Sequence, residues 1–197
     1  MYLAVDGSLA SEAVLPLLRG RFGQPYEHVE STPSTQLLVP AGAPEGALVV
    51  AEEQTAGRGR LGRRWVAPAG TSLLCSLQLR PAVAPEHLPE LTGVASHACA
   101  EAIAALTKLE PELKFPNDVL VTGRKVAGIL AEAREERVVL GLGVNVNVAA
   151  EELPPALERP ATSLLVETGR KVDRAALLVE LLARLERRYD EWVSAAR

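Results

Sequence analysis

Cysteine, histidine, lysine and aromatic residues are all scarce in this chain of 197 residues. The two cysteines, Cys75 and Cys99, make no disulfide framework and have no metal-ligand spacing. A reducing, cytoplasmic compartment is therefore the simplest expectation. Three histidines, His28, His87 and His97, show neither ligand nor triad spacing and are read as structural. Aromatic residues amount to 4%, too few for the stacking platforms of a single-stranded RNA reader. No stretch reaches the roughly 18 apolar residues of a membrane span. The first residues include Asp6 and Glu12 and lack a basic region, so a secretory signal is not expected. Positive charge is not in surplus either. Lys and Arg number 21 against 25 Asp and Glu, a net charge of −4. That argues against a protein that coats duplex DNA, while leaving room for a local basic loop.

What is present suits one globular domain. Hydrophobic residues make up 48% and charged residues 23%, ordinary proportions for such a fold. A domain of this size can bury roughly 70% of its unfolded surface without staples. Residues 1–25 read as an N-terminal extension and residues 26–197 as the domain proper. Strands are expected at Tyr26 to Glu30, Ala47 to Ala51, Ser72 to Arg80, Val119 to Val121, Lys125 to Ala131 and Val138 to Val148. Thr122-Gly123-Arg124 reads as a hairpin turn. Leu91, Val94, Ala95, Ala98, Ala102 and Ala105 recur at helical spacing and predict a helix over 88–106. Asp173 can cap a last helix with Leu177, Leu178, Leu181, Leu185 and Tyr189 on one face. Residues 149–162, with three prolines, read as a loop. The elements do not alternate strictly as strand and helix. The expected class is therefore α+β, a mixed β-sheet with helices packed on one face.

Three segments carry polar chemistry. Gln54-Thr-Ala-Gly-Arg-Gly-Arg-Leu-Gly-Arg-Arg-Trp65 holds three glycines and four arginines. Glycines permit close backbone approach to a ligand, and guanidinium forks suit carboxylate or phosphate. Four neighbouring cations repel, so this loop is expected to order only with an anion. A solvated basic loop, or an RNA-contacting segment, would have the same composition. Lys114-Phe-Pro-Asn-Asp-Val119 reads as a strand and turn, followed by Lys125 at the head of an apolar run. Asn117 and Asp118 could serve only their own turn, and Lys125 could be a surface lysine. Gly141-Leu-Gly-Val-Asn-Val-Asn147 is a strand whose glycines suggest close approach and whose amides share a face. An Asn-rich strand end is the plainer account of it.

Taken together, in this order and spacing, these segments resemble the biotin–protein ligases. That family shows Ser-Thr-Asn, then Gln-x-x-Gly-Arg-Gly-Arg-x-Gly-Arg-x-Trp, Lys-Trp-Pro-Asn-Asp, Lys-x-x-Gly-Ile-Leu and Gly-x-Gly-x-Asn. The matching positions are Ser34-Thr35-Gln36, Gln54 to Trp65, Lys114 to Asp118, Lys125 to Leu130 and Gly141 to Asn145. The resemblance covers roughly residues 26–192. Gln36 stands where the family has Asn, and Phe115 where it has Trp. The winged-helix and SH3-like domains of some members have no counterpart here, so a catalytic core without DNA binding is the expectation.

The resemblance implies a class II synthetase-like biotin/lipoate ligase domain and an AMP-forming reaction. Biotin would attack the α-phosphate of ATP, and a lysine of a biotin carboxyl carrier protein would then take the biotinyl group from biotinyl-5′-AMP. Lys125, Arg58, Arg60 and Asp118 would be catalytic. Ser34, Thr35, Gln36, Gln54, Gly57, Arg58, Gly59, Arg60, Trp65, Lys125 and Gly128 would bind biotin. Arg58, Arg60, Asn117, Lys125 and Asn145 would bind ATP. Mg2+ is expected with ATP, without residues assigned to it, and a homodimer is compatible with this reading. No membrane partner is implied. The rivals are a lipoate–protein ligase or octanoyltransferase of the same fold, against which the intact Gly-Arg-Gly-Arg loop argues, and a non-catalytic biotin-binding protein.

Overall fold

In the computed structural model, which describes residues 7–155 and 160–196, α1 (Ser11–Val14) precedes β1 (Tyr26–Thr32) and the short α2 (Thr35–Leu38). Then come β2 (Leu48–Gln54), β3 (Gly57–Arg58), β4 (Arg64–Trp65), β5 (Ser72–Leu79) and α3 (Leu91–Thr107). The strands β6 (Glu112–Lys114), β7 (Asp118–Val121), β8 (Arg124–Arg134) and β9 (Arg137–Asn145) follow, and α4 (Leu164–Thr168) and α5 (Arg174–Ala195) close the chain. Seven strands form one sheet in the order β1-β2-β5-β9-β8-β7-β6, and β3 pairs with β4 separately. Only β1 and β2 run parallel within that sheet; its other pairings are antiparallel. This is the expected mixed sheet.

Alternation explains the packing. On β5, Leu73, Cys75, Leu77 and Leu79 join the main core, as do Leu140, Leu142 and Val144 of β9. The long helices α3 and α5 cover that face through Leu91, Ala95, Ala98, Cys99, Ala102 and Ile103, and through Leu177, Leu178, Leu181, Leu185 and Tyr189. Burying such side chains is worth roughly 1.5–3 kcal/mol each before entropy is counted. The other face holds a smaller cluster of Val39, Val49 and Val139 and the polar or absent side chains of Ser76, Gln78, Gly141 and Gly143.

Local chemistry sets the ends of the elements. Asp173 accepts from the amides of Ala175 (2.9 Å) and Ala176 (3.1 Å), capping α5 as predicted. The turn between β7 and β8 is the two residues Thr122 (φ 50°) and Gly123 (φ 74°), both in the left-handed region that a tight hairpin needs. The helix predicted from residue 88 becomes α-helical at Leu91, because Pro85–Glu90 forms a 3-10 turn containing Pro89. In α3, Ala105 is exposed, and Cys99 and Ile103 take the inward positions. The β8–β9 turn, Glu135 and Glu136, carries no glycine or asparagine, so β8 runs three residues past the predicted end.

Residues 7–25 are not set apart. Leu9, Val14 and Phe22 are buried in the main core, and Phe22 lies 5.5 Å from Tyr189 of α5 between ring centroids. Residues 1–6 of the expected extension and 156–159 of the expected proline-rich loop lie outside the described residues. The start of α5 is tied to the sheet by charge. Arg174 Nη1 meets Glu52 Oε2 at 2.6 Å, and His28 Nε2 meets Glu52 Oε1 at 3.1 Å. Burial alone would raise the Glu52 carboxyl. The Arg174 hydrogen bond and charge, with His28, outweigh it and hold the group below its usual range.

Candidate active site

The floor of the site is made by what three strands lack. Gly128 of β8 and Gly141 and Gly143 of β9 lie on the face away from the long helices, with Ser76 of β5 beside them. A Cβ on Gly143 would stand 2.7 Å from Trp65 Cε2, one on Gly128 2.9 Å from Trp65 Cζ3, and one on Gly141 2.9 Å from Gln36 Nε2. All are closer than real contacts; at Gly128 and Gly143 the neighbour is a rigid indole, so only glycine lets Trp65 rest on the sheet, whereas at Gly141 the end of the Gln36 side chain would have to shift. The result is a cavity of about 170 Å³.

Lys125 reaches this face through a bulge. Val119 pairs with Ala127 but Leu120 pairs with Lys125, which leaves Val126 as an extra residue on β8. In a regular strand Lys125 and Gly128 would point to opposite faces. With the extra residue both face the cavity, and Val126 and Ala127 are both in the main core. The Lys125 backbone is gripped by the returning chain: its N–H donates to Pro160 O (3.0 Å) and its carbonyl accepts from Thr162 N (2.9 Å). Its ammonium pairs with Asp118 Oδ1 at 2.7 Å and lies 5.7 Å from the Trp65 ring centroid. Asn117 Nδ2 donates to the same Asp118 oxygen at 3.1 Å, and Arg60 reaches Asn117 Oδ1 at 3.5 Å.

The opposite end is neutral and polar. Gln54 Oε1 accepts from Thr35 N (2.8 Å) and Thr35 Oγ1 (3.1 Å), and Thr35 Oγ1 shares a 2.7 Å hydrogen bond with Ser76 Oγ. Gln36 Nε2 donates to Leu130 O at 3.2 Å. Ser34 Oγ, Gln36 Oε1 and Trp65 Nε1 are buried and have no hydrogen-bond partner among the described residues. Buried polar groups normally find partners, and the residues carrying these three line the cavity.

The arginine loop closes the cavity from above and is not left as bare repelling cations. Gly57 pairs with Trp65 and Arg58 with Arg64. Gly59 N donates to Arg63 O at 2.8 Å, and Arg64 donates to Thr55 O at 2.8 Å. Arg58 forms a two-pronged pair with Glu132, at 2.8 and 3.1 Å.

The structure thus brings Ser34, Thr35, Gln36, Gln54, Arg58, Gly59, Arg60, Trp65, Asn117, Asp118, Lys125 and Gly128 to one cavity, with Gly57 behind Trp65. Asn145 is not among its lining residues: its amide donates to Thr162 O at 3.0 Å. Asn147 likewise holds the returning chain, through Val172 N and O. Ser76 and Glu132 were not singled out in the sequence, whereas the glycines at 141 and 143 were read there as points of close approach. Period-two alternation with Gly128 would have placed Glu132. Burial pushes the thiols of Cys75 and Cys99 up to about 12, so neither supplies a thiolate nucleophile.

The profile of the biotin/lipoate A/B protein ligase family matches residues 28–148. The chain belongs to this family. The ligase/repressor BirA of Bacillus subtilis (strain 168) is 41% identical over 157 residues, which are 77% of this chain and 48% of that protein. The biotin–[acetyl-CoA-carboxylase] ligase of Paracoccus denitrificans is 39% identical over 163 residues, covering 78% and 67%. Among solved structures, the biotin protein ligase of Aquifex aeolicus in complex with biotin and ATP superposes with a TM-score of 0.78 at 32% identity, covering 87% of this chain and 73% of that one. The chain spans about half the length of the Bacillus relative. Its fold is the class II synthetase-like fold of these ligases.

Proposed function

We propose that this chain is the catalytic unit of a biotin–protein ligase. It would activate biotin as biotinyl-5′-AMP with release of pyrophosphate, then transfer the biotinyl group to a lysine of a biotin carboxyl carrier protein. One observation carries this reading: a single cavity has unpartnered neutral polar groups at one end and arginines with a lysine at the other. That polarity fits a ligand with a hydrogen-bonding ring and a reacting carboxylate. The Aquifex relative in complex with biotin and ATP supports it.

In this reading Ser34 and Gln36 supply the ring's missing partners, with Thr35 and Gln54 holding them in place. Trp65, resting on Gly128, walls the ring. Gly57 and Gly59 let the loop backbone approach closely. Arg58, Arg60 and Lys125 stabilise the charge that develops where carboxylate meets α-phosphate. Asn117 orients Asp118, which holds the Lys125 ammonium and could later receive the carrier amine. Asn145 would act on ATP only through the segment at Thr162.

Mg2+ would enter with the triphosphate. Asp118 is the one carboxylate among the residues lining the cavity, and no group of three potential ligands occurs among the described residues. The described residues thus offer no cage of their own, although Mg2+ commonly binds through one or two carboxylates plus phosphate. A cytoplasmic site of action follows from this reading, because ATP and carrier proteins are there.

The test is direct. With biotin, ATP, Mg2+ and a carrier domain, the chain should release pyrophosphate and add the biotinyl mass to one carrier lysine. Pyrophosphate release without transfer would reduce the chain to an activating unit. A preference for lipoate or octanoate would move it to the other branch of the family.

A further inference from the structure

Glu132 stands on β8 beyond Gly128 and Leu130, on the same face of the strand. It lines a second groove, of about 530 Å³, whose other wall is the arginine loop from Ala56 to Arg64. Its carboxylate takes both prongs of Arg58, Oε1 from Nη2 at 2.8 Å and Oε2 from Nη1 at 3.1 Å. Arg134, two residues along the strand, braces Oε2 at 2.8 Å. The Glu132 side chain is 22% exposed against 44% for Arg58, so the acid is the more buried half of the pair. The backbone pairing of β3 with β4 joins the loop only to itself. The Arg58–Glu132 pair thus adds a charged tie from loop to sheet, beside the contacts of Arg60 with Asn117 and of Trp65 with Lys125.

We propose that Glu132 is a positioning residue that clasps the arginine loop to the sheet through Arg58, keeping the site closed over an activated anionic intermediate. The closure itself stands on geometry alone. Only its consequence for the intermediate rests on the ligase reading above.

Two arms test it on the full chain. In the first, hydrogen exchange of amides 57–64 is followed without ligand. Glu132→Gln should speed exchange there about fivefold, the effect of losing a well-formed, partly exposed pair, and leave β5 and α5 unchanged. The exchanged pair, Arg58→Glu with Glu132→Arg, should restore protection, which a purely structural role of Glu132 in β8 would not allow. Should Glu132→Gln fail to fold, Arg58→Gln asks the same question from the loop side. In the second arm, Glu132→Gln should release the adenylate severalfold faster and label bystander lysines, with initial biotin capture changed less than twofold. Unchanged exchange in Glu132→Gln, or no recovery in the exchanged pair, overturns the clasp. If the unaltered chain makes no adenylate, the ligase reading falls while the exchange arm still decides the clasp.

Discussion

The two faces of the central sheet are built from the same strands and differ in almost every physical respect. Toward α3 and α5, β9 presents Leu140, Leu142 and Val144, all buried against apolar neighbours. Toward the loop, the intervening Gly141 and Gly143 present nothing, and Ser76 on β5 offers only a hydroxyl. One face is filled, and its side chains make the domain stable. The other is left hollow, so that side chains from α2 and the arginine loop can lie on the backbone. A strand that alternates Leu with Gly is thus a core on one side and a binding floor on the other. Stability and chemistry are separable at single-residue spacing.

That separation can be broken residue by residue. Leu140→Ala, on the filled face, should cost about 2–5 kcal/mol of folding stability through lost burial and a residual cavity. Urea unfolding would show it, while pyrophosphate release per folded molecule stays near the unaltered value. Lys125→Ala, on the hollow face, should do the reverse. Adenylate formation should fall at least about a hundredfold, roughly 3 kcal/mol of transition-state stabilisation. The urea midpoint should hardly move; a normal rate in the folded variant would remove Lys125 from the chemistry.

Gly143→Ala sharpens the contrast further, because it adds one methyl group to the hollow face. Nothing in the Gly143 backbone requires glycine, since its φ is outside the left-handed region. The new Cβ would meet three Trp65 ring atoms at 2.7–3.0 Å. Displacing that ring should cost about 1–3 kcal/mol, the usual range for overpacking. It should appear as altered tryptophan fluorescence and weaker biotin binding. Gly42→Ala, where a Cβ meets nothing within 4 Å, is the control that should change neither.

The smallest effect concerns the charge beside the filled face. Glu52, held by Arg174 and His28, has a folded pKa below its unfolded value. Its contribution to stability is therefore fully present above the unfolded value of about 4.3 and is lost as pH falls through the folded one. Chemical denaturation between pH 6 and about pH 3 should show this acid-side loss, and Glu52→Gln should flatten it. An identical slope in the variant would assign the acid sensitivity to other carboxylates.

Much of the hollow face was legible in the residues themselves. Glycines, arginines and the Pro-Asn-Asp turn carry local information, and the run from Gln54 to Trp65 could be read as an anion-binding loop without coordinates. The helix-facing core was legible for the same reason, since β-branched and leucine positions repeat at the period of their element. The three-residue strand β6 was not, because Glu112-Leu-Lys114 is too short to show a period. Nor was the ordered state of the arginine loop without ligand. Its counter-charge, Glu132, lies 74 positions from Arg58 and cannot be inferred from local repulsion.

The sequence by itself determined the chemical inventory of the site, because residue type at fixed local spacing decides which groups are offered. The tertiary structure alone decided the directions those groups take. A strand side chain points up or down according to a count of two, and one unpaired residue reverses every position beyond it. The extra residue at Val126 is such a reversal, and only the register of β8 against β7 reveals it. It turns Lys125 to the cavity beside Gly128, while at the end of β9 the amide of Asn145 goes to Thr162 O and ties down the returning chain.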